Sequence, residues 1–198
     1  MPKVGMEPVR KRQIIDATMG CIHEHGMAKT TLQRIAARAG FASGLIVHYF
    51  GDKDGLLEAV YLDLYSRLEA ETACRRQRAN TPMEELFAVL EAQVCAEMVA
   101  PEIVSTWFAL GAKAPETPGL SKMEQNNTRQ LTSGLVRTLK RVGLSRSESR
   151  DIAEELVVLI YGLWVNLANK TIPSSRRAKA ILFRVVRARL PQFFEATS

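Results

Sequence analysis

Apolar residues along this chain recur three and four positions apart, and no stretch alternates apolar with polar for a strand's length, so the pattern predicts helices throughout. Residues 9 to 25 carry Ile15, Met19 and Ile22 with Ile14 and Thr18 beside them, and Gly26 stands where that helix should stop. Leu32, Ile35, Ala36 and Ala39 then follow the i, i+3, i+4, i+7 spacing of a short helix with one buried face. Thr30 and Gln33 have the spacing of a capping box at its start, and Gly40 suits a left-handed stop at its end. After a turn over Gly40 to Ala42, helix resumes at about Ser43. A long helix is expected from Lys53 toward Asn80, another from Thr81-Pro82 with Leu86, Phe87, Leu90 and Val94 on one side, and a shorter one from Pro101. "GAKAPETPGLSK" holds two prolines and two glycines and reads as a break. Three further helices are expected: one through Val136 and Leu139 to Gly143, an apolar one from about Ser147 to Asn169, and a last one from Ser174 or Ser175. The fold class is all-α. The change in character after residue 52 divides it into a small head, 1–52, and a larger helical body, 53–198.

The helix after Gly40 raises a functional question. On a helical wheel Ile46, Tyr49 and Phe50 turn inward, while Gly44, Val47 and His48 face outward, flanked by Ser43 and Leu45. That outer face is small and uncharged, unlike the Lys- and Glu-rich face of a helix that meets only water. A short helix, a glycine turn and a second helix with such a face form a helix-turn-helix, whose second helix enters the major groove of double-stranded DNA. Small residues allow close approach; Ser43 and His48 offer hydrogen bonds, and Leu45 or Val47 an apolar contact for a thymine methyl. An ordinary helical corner satisfies the same spacing.

The segment "TTLQRIAARAGFASGLIVHYFGDKDGLLEAV" resembles the DNA-binding head of the TetR family of bacterial repressors, over roughly residues 9 to 60. Within that family, "MPKVGMEPVRKRQIIDAT", "GLLEA" at 55 to 59 and "YGLW" at 161 to 164 resemble the choline-responsive repressors of glycine betaine synthesis. The resemblance implies a three-helix head, a body that binds ligand and dimerises, and a homodimer presenting two recognition helices about one DNA turn, ~34 Å, apart. It places the recognition helix over Ala42, Ser43, Gly44, Leu45, Val47, His48 and Tyr49. Tyr49 and Lys53 are then expected at phosphates, with Thr31, Gln33 and Arg34 of the preceding helix supporting backbone contacts. Ser43, Leu45 and Val47 stand where the family often has Lys, Thr and Tyr, which removes a cation and hydroxyl donors from that surface. In the body, the helices at about 147 to 169 and 175 to 194 are expected to pair with their copies, and Leu156, Leu159, Ile160, Leu163 and Leu167 supply a stripe that Val157 and Trp164 widen. If the effector is choline or another quaternary amine, aromatic faces suit it, and Trp107, Phe108, Tyr161 and Trp164 are the candidate walls. Glu97 or Glu102 is a possible carboxylate partner.

Charge agrees with an anionic partner. The 198 residues carry 27 bases against 21 acids, a net +6. Four of the bases, Lys3, Arg10, Lys11 and Arg12, fall in the first twelve residues against Glu7 alone. A second basic segment, Lys170 to Arg189, has seven bases and no acid and reads as a solvated helix face, while Ile181, Leu182, Val185, Val186 and Leu190 still make an apolar stripe along that helix. Cys21, Cys74 and Cys95 are odd in number and lack C-x-x-C spacing, so they read as core fillers in a reducing cytoplasm. The longest apolar run, Leu156 to Val165, falls short of the ~20 residues a bilayer span needs, so no membrane role is expected. Phosphate loop, dinucleotide fingerprint, nucleophile elbow and metal-ligand spacing are all missing, His23-Glu24-His25 included, so neither an enzyme nor a metal site is expected. Two rival functions stay open: a TetR-type efflux regulator sensing another small or bulkier cation, and a helical protein-interaction module that does not bind DNA.

Overall fold

The computed structural model describes residues 5–194, and among them every regular element is helical. They are α1 (Met6–His25), α2 (Leu32–Ala39), α3 (Ser43–Phe50), α4 (Lys53–Arg76), α5 (Pro82–Gln93), α6 (Pro101–Lys113), α7 (Pro118–Val142), α8 (Arg146–Ala168) and α9 (Ser175–Arg189), with short 3₁₀ turns at Ala114–Glu116 and Pro191–Phe193. Lys3 lies outside the described residues. Two compact units result. The first holds the described chain up to Ser66 together with Pro101–Glu124, and the second holds Arg67–Ala100 with the described chain from Gln125. The expected division at 52/53 coincides with the turn before α4, and α4 itself continues from one unit into the other.

In the first unit α1 packs against α2 and α6, and α2 against α3. Ile14, Ile35, Ile46, Leu56, Leu57, Leu110 and Leu120 are essentially removed from water there. Gly20 of α1 lies against the Arg38 guanidinium of α2: a Cβ there would displace that group, which pairs with Glu24 at 2.7 Å. The start of α2 differs from expectation. Thr31, in extended conformation, is the N-cap and accepts from Arg34 N at 3.2 Å, while Thr30 is fully buried and donates to Gly26 O at 2.8 Å. The cap needs an extended backbone just before the first helical residue, and that residue is Thr31, so Thr30 and Gln33 form no capping box. Gly40, at φ 73°, closes α2 as expected.

In the second unit α5 and α8 pack on α9 around Leu86, Leu90, Leu139, Leu156, Ile160, Leu182 and Val186. A capping box does occur here, at Ser145 and Glu148, and starts α8 at Arg146. Glu85, only 8% exposed, is held by Arg76 and by Arg141. The expected break at "GAKAPETPGLSK" shrinks to one 3₁₀ turn. Pro118 sits at the first position of α7, where the amide it lacks would have no helical partner, so it starts a helix.

Candidate nucleic-acid interface and effector region

Local chemistry sets the second helix of the head firmly. Ala42, extended, is the N-cap of α3, so the helix runs one residue later than the expected Ala42 to Tyr49. Ile46 is fully buried, and Tyr49 and Phe50 are half-buried. At its far end Gly51 adopts φ 80° and donates to Val47 O at 2.8 Å, and Asp52 Oδ1 accepts from Gly55 N at 2.8 Å to open α4. A side chain at Gly55 would run into the Phe50 carbonyl, so α3 and α4 meet at a turn that only glycine allows. Rigid anchoring on one side leaves the other free. Gly44, Val47 and His48 are exposed, with Ala42 at the leading edge and Ser43 and Leu45 half-exposed beside them.

Thr31, the N-cap of α2, and Gln33 and Arg34 within it are exposed. The Thr31 oxygen accepts its cap hydrogen bond and keeps its own hydroxyl proton to give; Arg34 Nη1 donates to Lys29 O at 2.8 Å. Lys53 Nζ donates to Met27 O at 3.4 Å, a long bond that a phosphate would readily replace. Sequence reasoning treated Lys11 only as part of a charge excess. The fold sets its ammonium 5.6 Å above the Tyr49 ring and 2.7 Å from Glu7 Oε1. The hydrogen bond from Lys11 holds the Glu7 carboxyl below its ordinary pKa. A cation therefore stands on the ring of a residue expected at a phosphate, and only the tertiary fold reveals it.

The four candidate effector residues fall into separate groups. Tyr161 and Trp164 lie together in the second unit, ring centroids 5.7 Å apart. The Trp164 indole donates to Gln93 O at 2.7 Å, and the Tyr161 hydroxyl shares a 3.2 Å hydrogen bond with Thr128 Oγ1. Trp107 lies in the first unit, edge-on to Tyr61 at 5.1 Å, a partner that sequence reasoning missed; Phe108 is half-buried beside it in the chain. Of the possible carboxylates, Glu97 is exposed, and a hydrogen bond from its own backbone amide, then one from the Cys95 thiol, lower its pKa. Glu102 is half-buried at the start of α6. Glu71, Cys95 and Glu97 bring ligand atoms within 4.8 Å of one another, but Arg75 Nε already bonds Glu71 at 2.6 Å and supplies the positive charge there. His23 Nδ1 is 3.0 Å from Ser105 Oγ, joining α1 to α6, and His25 lies 3.9 Å from Glu24.

Known proteins resemble this chain in sequence and in fold. Residues 14–60 match the family model described as bacterial regulatory proteins, tetR family, and residues 82–191 match the BetI-type transcriptional repressor, C-terminal. The HTH-type transcriptional regulator BetI of Paraburkholderia xenovorans is 38% identical over 179 residues, covering 90% of this chain and 91% of that protein. BetI 2 of Chromohalobacter salexigens is 38% identical over 167 residues, covering 83% and 80%. Among solved structures, a transcriptional regulator from Pseudomonas aeruginosa PAO1 superposes with TM-score 0.80 at 24% identity over 91% of this chain and 90% of that one. A regulator from Saccharomonospora viridis, solved in complex with choline, gives 0.79 at 17% identity over 91% and 97%. At such identities the two structures speak for the fold.

Proposed function

The chain belongs to the tetR family of bacterial regulatory proteins and carries a BetI-type repressor body, and from that premise we propose a homodimeric repressor of choline-to-glycine-betaine genes whose effector is choline or another small quaternary amine. A DNA-binding transcriptional repressor rather than an enzyme follows from the family itself. The observation that carries the proposal is the pairing of an exposed, uncharged outer face on α3 with a fully buried Ile46 behind it. A duplex groove can then be met by a surface that does not need to reorganise.

The finer reading rests on likeness and chemistry. The relatives are BetI regulators over most of their length, and the choline-bound neighbour shares the fold. Self-association is supported by α8, where Val158 is 72% exposed and Val165, two helical turns on, 42% exposed. Apolar side chains placed in line on the outside of a helix favour a second copy. No helix among the described residues is long and apolar enough to cross a membrane.

A regulator of this kind works only if its effector binds the DNA-competent and DNA-released states unequally. Gel-shift titration on the DNA upstream of choline-oxidising genes, repeated over a salt series and with added choline, tests the proposal. Operator affinity should fall steeply with salt and fall again with choline. Operator binding that choline and other quaternary amines leave unchanged would remove the effector reading; absence of operator binding would favour the interaction-module alternative.

A further inference from the structure

The chain passes from the second unit into the first between Ala100 and Pro101, and α6 starts at that crossing. The other crossings lie within the continuous helices α4 and α7. Two polar contacts stand at the start of α6, and both reach helices of the head. In the first, His23 Nδ1 of α1 is 3.0 Å from Ser105 Oγ. Ser105 gives its single hydroxyl hydrogen to Glu102 O, also at 3.0 Å, so its oxygen offers the imidazole only lone pairs and Nδ1 is the donor. Thr106 Oγ1 donates to the same carbonyl at 2.7 Å, which fixes Glu102 and Ser105 in one turn.

The second contact centres on Arg38, in the last turn of α2 and two residues before the Gly40 stop. Nη2, Cζ and Nε of its guanidinium would be nearly equidistant from a Cβ at Gly20, so the group lies flat over that glycine of α1. Its Nη1 donates to Glu24 Oε1 at 2.7 Å, and Glu24 directly follows His23. The bond to Glu24 holds Arg38 above its ordinary pKa, and the charge of Glu102 on α6 adds to the effect. His23, Glu24 and Arg38 are exposed, so these contacts can be broken and remade without opening the core. All of these residues belong to the first unit.

We propose that Arg38 and the His23–Ser105 hydrogen bond are positioning contacts that tie the start of α6 to the helix-turn-helix, so that operator binding at α2 and α3 and the state of α6 are linked through them. The inference rests on operator binding and on no particular effector. α2 has eight residues, so a tilt at Arg38 moves Gln33 and Arg34 at its other end and, across the Gly40 turn, α3. Linkage of this kind is reciprocal: if α6 biases the head toward DNA, DNA held by the head must stabilise α6.

Hydrogen exchange of the full-length protein, free and saturated with an operator that it selects from random duplexes, provides the test. In wild type the operator should slow exchange over residues 101–113 by about fivefold or more. Ser105→Ala removes the acceptor on α6, Arg38→Gln removes the ion pair, and Gly20→Ala keeps every charge but displaces the guanidinium. Each variant that folds should still be protected by operator over residues 43–50, yet show less than about twofold slowing over 101–113; three variants keep the test decisive if one does not fold. Absence of slowing over 101–113 in wild type overturns the inference and leaves the proposed function standing. Slowing that persists in the variants does the same, including where the melting temperature falls, since a merely structural role has that signature. If no duplex is selected, operator binding fails and both readings fall.

Discussion

The indole N–H of Trp164 donates a 2.7 Å hydrogen bond to the carbonyl of Gln93, seventy-one residues earlier in the chain. The bond joins the C-terminal end of α8 to the last residue of α5 and leaves Trp164 5% exposed. A tryptophan so placed supports the body whether or not it also faces a ligand. Replacing it with Ala should therefore cost about 3–5 kcal/mol from lost burial and the cavity left behind, with a further cost for the orphaned carbonyl, and should lower the melting temperature by several degrees. Trp164→Phe keeps most of the volume and is the better probe of effector response. If Trp164→Ala melts like wild type, the hydrogen bond does not carry the role assigned here.

Tyr49 and Lys11 form the second relationship with consequences, a cation seated 5.6 Å over a ring at the edge of the recognition helix. If both meet a phosphate, Lys11→Ala should weaken binding to every DNA sequence alike and reduce the slope of log affinity against log salt by about one. Tyr49→Ala should also act uniformly across sequences. Fluorescence anisotropy on the operator and on point-mutated operators, at several salt concentrations, reads this out; loss confined to one base pair would assign the residues to base recognition instead.

Glu85 gathers Arg76 from α4 and Arg141 from α7 in the second unit. Burial raises its pKa, but the two guanidinium groups outweigh that and hold the carboxyl below its ordinary value of 4.5. The stabilisation is then fully present above that ordinary value and is lost as pH falls through the lowered one. Glu85→Gln should destabilise by about 1–2 kcal/mol at neutral pH, a modest figure because both arginines are half-exposed. Urea midpoints of wild type and variant, measured from neutral pH downward, should converge in acid. A gap that persists unchanged in acid would mean that packing, not charge, is what the substitution disturbs.

Val158, 72% exposed on the outer side of α8, gives the simplest test of assembly. In a dimer joined through α8 and α9, Val158→Arg would place like charges opposite each other across the two-fold axis. Light scattering should then show a monomer, and operator affinity should fall because two half-sites can no longer be held at once. A dimer of unchanged stability would move the interface elsewhere.

The head was legible because its signals are local. Spacing alone located α2, the Gly40 stop, and the inward Ile46 and outward Gly44, Val47 and His48 of α3, since a helix of known pitch fixes which side each residue takes. Where a backbone angle decided the outcome, spacing misled: Thr30 and Thr31 are equivalent in composition, yet only Thr31 has the extended conformation of a cap. The same holds at Pro118, which composition marked as a breaker and the chain uses as a helix start.

By itself, then, the sequence determined the all-helical class, the helix-turn-helix and the family, because each depends on residues within a few turns of one another. Tertiary structure alone decided which aromatic meets which, that Lys11 stands on Tyr49, and that Glu85 serves two arginines. Pairing and burial are properties of neighbours brought together from distant parts of the chain, and no periodicity along one segment encodes how much water or charge another segment will supply.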